Sequence, residues 1–239
     1  MPNIYIFLTV IISSLIKGVS GFGFALISLP ILLTWYAPKE IIPVLMICNL
    51  VASVFIILQK KNQPLIDKAS MSLIVSGGIF TLIGVLVLKH VNANRLVHFS
   101  GVVFLVITFL SFIKSNKRHA VLPAYVYPIV GAIIGTITGI ISISGPPLAL
   151  FLNRANVDNK QFREIFAWFS VVTAVIAIAG YYHVGWLTPQ ALKLSLLFSP
   201  ILLAGTIVGK YFNGIIPIKS FRTINILLTL ISCFLLLIR

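Results

Sequence analysis

The sequence predicts an all-α polytopic membrane protein made of two inverted-topology repeats, each a broken or re-entrant helical hairpin followed by three transmembrane helices. Composition is the first reason. Of 239 residues, 59% are hydrophobic and 9% charged, and the mean hydropathy of +1.10 lies far outside the range of soluble domains. The second is length: apolar runs close to the ~20 residues that cross a hydrocarbon core of about 30 Å recur along the whole chain. No room is left for a soluble domain. The third is a pair of long apolar segments, each interrupted by small residues near its middle.

In chain order, the first repeat covers residues 1–113, with a broken hairpin at 4–35 and helices at 41–58, 69–88 and 96–113. A basic linker follows at 114–125. The second repeat covers 126–239, with a hairpin ending near 152 and helices at 165–182, 191–208 and 223–238. The opening MPNIYIFL has no basic residue before its apolar run, which leads into a glycine-rich motif rather than a small-residue cleavage site. A removable signal peptide is therefore not expected. Cys48 and Cys233 both fall inside apolar spans and read as apolar filler, not as a disulfide or metal framework.

The duplication rests on an offset of 121 to 125 positions. It sets KGVSGFGFALISLP (residues 17–30) against TGIISISGPPLAL (residues 138–150), so that Gly18 meets Gly139, and Gly21 and Gly23 meet Ser142 and Ser144. SLIVSG (72–77) likewise meets SLLFSP (195–200).

Charge decides how the broken segments lie. If each crossed the membrane once, nine basic residues would lie on one side and seven on the other, which scarcely distinguishes the sides. If each enters and returns, Lys60, Lys61, Lys68, Lys114, Lys117, Arg118, Arg154, Lys160, Arg163, Lys210, Lys219 and Arg222 share one side. Only Lys39, Lys89, Arg95 and Arg239 are then opposite. The twelve-charge side is expected to be cytoplasmic, and a hairpin plus three crossings inverts the second repeat relative to the first.

Irregular backbone at membrane depth is tolerated only where protein or a water-filled cavity satisfies its polar groups, so the two breaks should line a site. In SISGPP, Ser144 or Gly145 can cap a helix that opens on Pro146 and Pro147. In the first repeat Ser20, Gly21 and Gly23 would do the same for an arm from Phe24 to Trp35. Two helix N-termini then point positive dipole ends at one place, which suits an anion. Lys17, just before the first break, reinforces that reading; alternatively, it snorkels to an interface. Lys193, within the start of its span, is a second candidate, though its place near an end favours snorkelling. Asn49, Ser53, Ser170 and Thr173 lie mid-span and can bond either an oxyanion or a neighbouring helix.

The four acidic residues, Glu40, Asp67, Asp158 and Glu164, fall in loops or at span ends, so no buried carboxylate is expected to carry protons or bind sodium. The histidines His90, His98, His119 and His183 lie at membrane edges, and Trp35, Trp168 and Trp186 read as interfacial anchors. A membrane enzyme would need a base with a partner, and none is visible.

GVSGFGFALISLPILL, followed one repeat later by GTITGIISISGPPLALFL and then NKQFRE, resembles the sulfite exporter TauE/SafE family of membrane permeases over essentially the whole chain. The resemblance implies movement of sulfite or a small organosulfonate across the cytoplasmic membrane, usually as export. Many members carry a run of glycines where this chain has Gly21, Phe22, Gly23 and Phe24 and, in the second motif, serines. Its tips are bulkier or more polar.

The expected activity is a secondary permease working by alternating access, multi-pass in the inner (cytoplasmic) membrane, with no catalytic residue, cofactor or metal. Candidate substrate-binding residues are Lys17, Ser20, Gly21, Gly23, Asn49, Ser142, Ser144, Gly145, Pro146 and Ser170. Arg163, at the Phe-Arg position, is either a cytoplasmic gate that attracts anions or a topology signal paired with Glu164 or Asp158. The net charge of +14 reads as topology and lipid attraction, not nucleic-acid binding. Expected partners are a small anionic substrate and the lipid bilayer, and a homodimer is compatible with the sequence. The alternatives are a structural or assembly subunit without transport activity, and a permease for a different small organic anion.

Overall fold

The structure, a computed structural model, describes residues 3–21, 23–58, 66–112, 122–155, 157 and 159–212. Among these residues it forms nine helices and no strand: α1 (Ile4–Ser20), α2 (Phe24–Leu32), α3 (Pro38–Leu58), α4 (Lys68–His90), α5 (Ala93–Phe112), α6 (Val126–Ile141), α7 (Gly145–Arg154), α8 (Asn159–His183) and α9 (Pro189–Phe212). Helices α3, α4, α8 and α9 are each long and apolar enough to cross a membrane. The expected span at 223–238 and most of the linker at 114–125 lie outside the described residues.

Each broken segment consists of a longer helix, a three-residue break and a shorter helix. The helices end for local reasons. Gly21 adopts a left-handed conformation (φ 82°) and its N–H bonds the Lys17 carbonyl at 2.7 Å; Gly23 (φ 105°) then opens α2. At the second break Ser142 takes the left-handed role (φ 58°), with its N–H on the Thr138 carbonyl at 2.8 Å. Ser144 precedes α7, whose first turn carries the prolines. Break residues thus pair at a constant offset: Gly21 with Ser142, Gly23 with Ser144. The first short arm stops at Leu32, not Trp35, because the chain turns through Leu33 to Tyr36 before α3.

Glycines bring the long arms against the spans. On α6, Gly131, Gly135 and Gly139 recur every fourth residue and lie against α4 at Leu73, Gly77 and Thr81 respectively. The Thr81 hydroxyl donates to the Gly135 carbonyl across this seam at 3.1 Å. A Cβ added at Gly84 would lie 3.0 Å from Gly139 Cα, and closer still to the Thr136 carbonyl. The seam between α1 and α9 reproduces this contact: a Cβ at Gly209 would lie 2.9 Å from Gly18 Cα, and closer to the Leu15 carbonyl. Leu15 and Gly18 are 121 positions before Thr136 and Gly139, and Gly84 is 125 before Gly209.

These contacts also give direction. Along α4 and α6 the paired numbers rise together, so the two helices run parallel. Helix α8 runs with them, since Phe169 meets Gly77, and Gly180 meets Leu82 and Val85. At the far end of α8, Trp186 lies under Lys39 at the start of α3, with the ammonium 5.7 Å from the ring centroid.

Two expectations about side chains change. Trp186 is only 5% exposed, because Lys39 and the α3 entrance cover it; Trp35 and Trp168 remain exposed. Glu164 is a buried carboxylate, 6% exposed, because α8 begins six residues earlier than the expected start of its apolar run and carries this side chain into the protein. His90, His98, His183 and Lys193 are exposed.

Leucine at Gly139 or Gly209 must push two backbones apart, so each variant is expected to lose monodisperse protein in size-exclusion chromatography. Gly21→Ala faces open space and strains only its left-handed backbone. Its expected cost is about 1–2 kcal/mol, read from unfolding in detergent.

Candidate functional site

Lys17 lies in the last turn of α1 and is 2% exposed. Its Nζ donates to Asn49 Oδ1 on α3 at 2.6 Å, and among the described residues no carboxylate pairs with it. The pair closes one side of a cavity of about 20 Å³, which holds roughly one water. Gly23 and Phe24 come to the wall from the first break, and Ser142, Ser144, Gly145 and Pro146 from the second. Phe166 of α8 forms an apolar side. An oxyanion is larger than this space, so the tips must part to admit one.

The two short arms contribute unequally. The first-turn amides of α2, at Phe24, Ala25 and Leu26, have no carbonyl partner inside their own helix, and all three residues line the cavity. In α7, Pro146 and Pro147 have no N–H at all, which leaves Gly145 as the free helical donor. The two N-termini therefore differ in the amides they offer. The second break compensates with serines: Ser144 is buried at the wall, though its side chain does not cap the helix.

The second tip is anchored. The Ser142 hydroxyl donates to the Ile42 carbonyl of α3 at 2.9 Å, the Thr138 hydroxyl reaches the Ile143 carbonyl at 3.4 Å, and the Tyr181 hydroxyl donates to the Gly139 carbonyl at 2.9 Å. These bonds hold a serine in a left-handed conformation that costs a non-glycine residue on the order of 1 kcal/mol.

The structure thus brings Lys17, Gly23, Asn49, Ser142, Ser144, Gly145 and Pro146 to one cavity. It does not bring all the candidates there. Gly21 terminates α1 and is not on the wall, Ser20 ends α1 with a side chain outside the described set, and Arg163 is exposed on the first turns of α8. Ser170 is fully buried one turn beyond Phe166, off the wall, with no hydrogen-bond partner for its hydroxyl among the described residues. Thr173 bonds its own helix at the Phe169 carbonyl. Sequence reasoning missed Phe166 and Tyr181. A tyrosine near the end of a span looks like an interfacial anchor, and nothing local reveals that its hydroxyl caps another helix.

A membrane-embedded helical protein with two matched helix breaks around a buried, amide-held lysine belongs to the class of multi-pass membrane transporters. The chain matches the sulfite exporter TauE/SafE family over residues 6–236 and is a member of that family, a family of membrane exporters of sulfur anions. No curated protein and no solved structure matches it.

Replacing Asn49 by Leu strands the Lys17 ammonium and is expected to cost about 1–3 kcal/mol, while adding Lys17→Met to that variant restores most of the loss. A double-mutant cycle on unfolding in detergent measures this coupling; additive effects would mean that the Lys17–Asn49 bond carries no stability.

Proposed function

We propose that this protein is a secondary permease for a small sulfur oxyanion, sulfite or an organosulfonate, moved across the cytoplasmic membrane by alternating access. The observation that carries the proposal is Lys17: a buried ammonium with a neutral partner, set between two helix breaks. A buried cation without a carboxylate is electrostatically incomplete, and a small anion completes it. The α2 amides, the Ser144 hydroxyl and the positive dipole ends of α2 and α7 add donors in the same place. The family and the charge bias support a place in the cytoplasmic membrane.

The two halves act as inverted repeats. Supporting this is the common direction of α4, α6 and α8. Were the second broken segment a single crossing, α8 would run against α4. Its return to the starting side also places Trp186 beside Lys39, as observed. Rocking of one half against the other, around tips that meet at mid-depth, opens the cavity first to one side and then to the other. Phe24 and Phe166 on the wall favour a second reading within the same class, a small organic anion with an apolar substituent.

Counterflow in proteoliposomes, run with sulfite, sulfate, methanesulfonate, sulfoacetate and small carboxylates, tests the function. Sulfite or a sulfonate is expected to exchange, with rates falling at least tenfold in Lys17→Ala and Gly145→Leu; undiminished flux in both variants moves the site elsewhere. Topology is tested separately. In a cysteine-free background, cysteines at Lys39 and Gly185 are expected to label from one side and a cysteine at Lys68 from the other, and labelling of positions 39 and 185 from opposite sides sinks the inverted arrangement.

A further inference from the structure

We propose that Lys17 also carries the proton of the transport cycle, so that each substrate anion crosses together with one proton held on the Lys17 amine. This rests on the permease reading above and adds what drives the movement.

The surroundings of Lys17 leave it alone with its charge. Its partner is an amide oxygen, and the titratable group facing it is the Cys48 thiol on α3. Helix α2 has no ionisable side chain, and Lys210 on α9, beside the Gly18–Gly209 contact, is exposed. Helix α6 brings no acid or base to its tip, and the one charged residue of α7, Arg154, is at the opposite end from the cavity. Glu164 on α8 is buried two residues before Phe166 but makes no pair with Lys17.

Any carrier that moves net cargo must return without it. Loaded, the Lys17 ammonium is balanced by the anion. Unloaded, the same ammonium would pass through a closed site with a neutral amide as its only partner among the described residues, and a buried charge in that position sheds its proton rather than remaining unpaired. The neutral amine loses nothing locally, because an N–H can still donate to Asn49 Oδ1. Lysine permits this exchange, whereas arginine does not deprotonate.

The step balances without redox chemistry. On the loading side the Nζ lone pair takes a proton from water, forming an N–H bond, and the anion binds the ammonium. On the other side the anion leaves and the proton returns to water. A monoanion therefore crosses electroneutrally. Glu164 is a poor alternative, since it is not among the residues that line the cavity.

The test uses full-length protein and methanesulfonate, which does not titrate near neutral pH, with sulfite as the second probe. In proteoliposomes, a pH gradient acid on the loading side is expected to drive uphill accumulation, with one proton per methanesulfonate recorded by an internal indicator. In Lys17→Arg the ratio of gradient-driven uptake to counterflow is expected to fall at least tenfold, while in Glu164→Gln that ratio stays within twofold. A measurement on the unaltered protein makes folding of the variants immaterial. Adding either anion to detergent-solubilised protein in weak buffer at alkaline pH should take up protons, approaching one per bound anion. Net methanesulfonate uptake without proton movement, binding without proton uptake, or an unchanged ratio in Lys17→Arg overturns the proton role and leaves the permease standing. Failure of the unaltered protein to bind or exchange either anion removes both.

Discussion

A helix interrupted inside a hydrocarbon layer frees amides and carbonyls that lipid cannot satisfy. That constraint organises the structure around both breaks. The Gly139 carbonyl, near the end of α6, receives the Tyr181 hydroxyl, and the Ser142 hydroxyl at the tip reaches back to α3. The first break solves the same difficulty with glycines that turn the chain at little steric cost. Either solution requires enclosure by other helices, and enclosure is what converts two breaks in a sequence into one shared cavity.

Enclosure depends on close approach. Lipid tails are as apolar as leucine, so helices in a membrane associate through van der Waals contact and interhelical hydrogen bonds. Glycine seams supply the contact, with Gly139 on Gly84 and Gly18 on Gly209. Each seam lies within one helical turn of its break, and so the packing that stabilises the fold also holds the tips in place. The same contact occurs at positions 121 to 125 apart.

The match between the two breaks stops short of the chemistry. Lys17 occupies the position equivalent to Thr138, and Asn49 that of Ser170. In the first half this pair places an ammonium on an amide; in the second it leaves a threonine bonded to its own hairpin and a buried serine hydroxyl without a partner among the described residues. The prolines that start α7 deepen the asymmetry by deleting amides that α2 retains. One half therefore brings charge and backbone donors, and the other brings hydroxyls and an anchored tip.

Composition and run length were sufficient to show that the chain lives in a membrane, because burial in lipid demands apolar surface all along each span. The breaks were legible as well, since glycine, serine and proline act through the local backbone, and Lys17 stood out because an ionisable group beside a break is rare. The GxxxG spacing on α6 was visible too, but its partner was not, for spacing says that a helix can be approached closely without saying by what. Only tertiary structure decided that Asn49 holds Lys17, that Tyr181 caps α6, that Glu164 is buried and that Ser170 stays off the wall. Each of these joins or separates side chains on different helices, and which faces meet is set by packing between elements far apart in the chain.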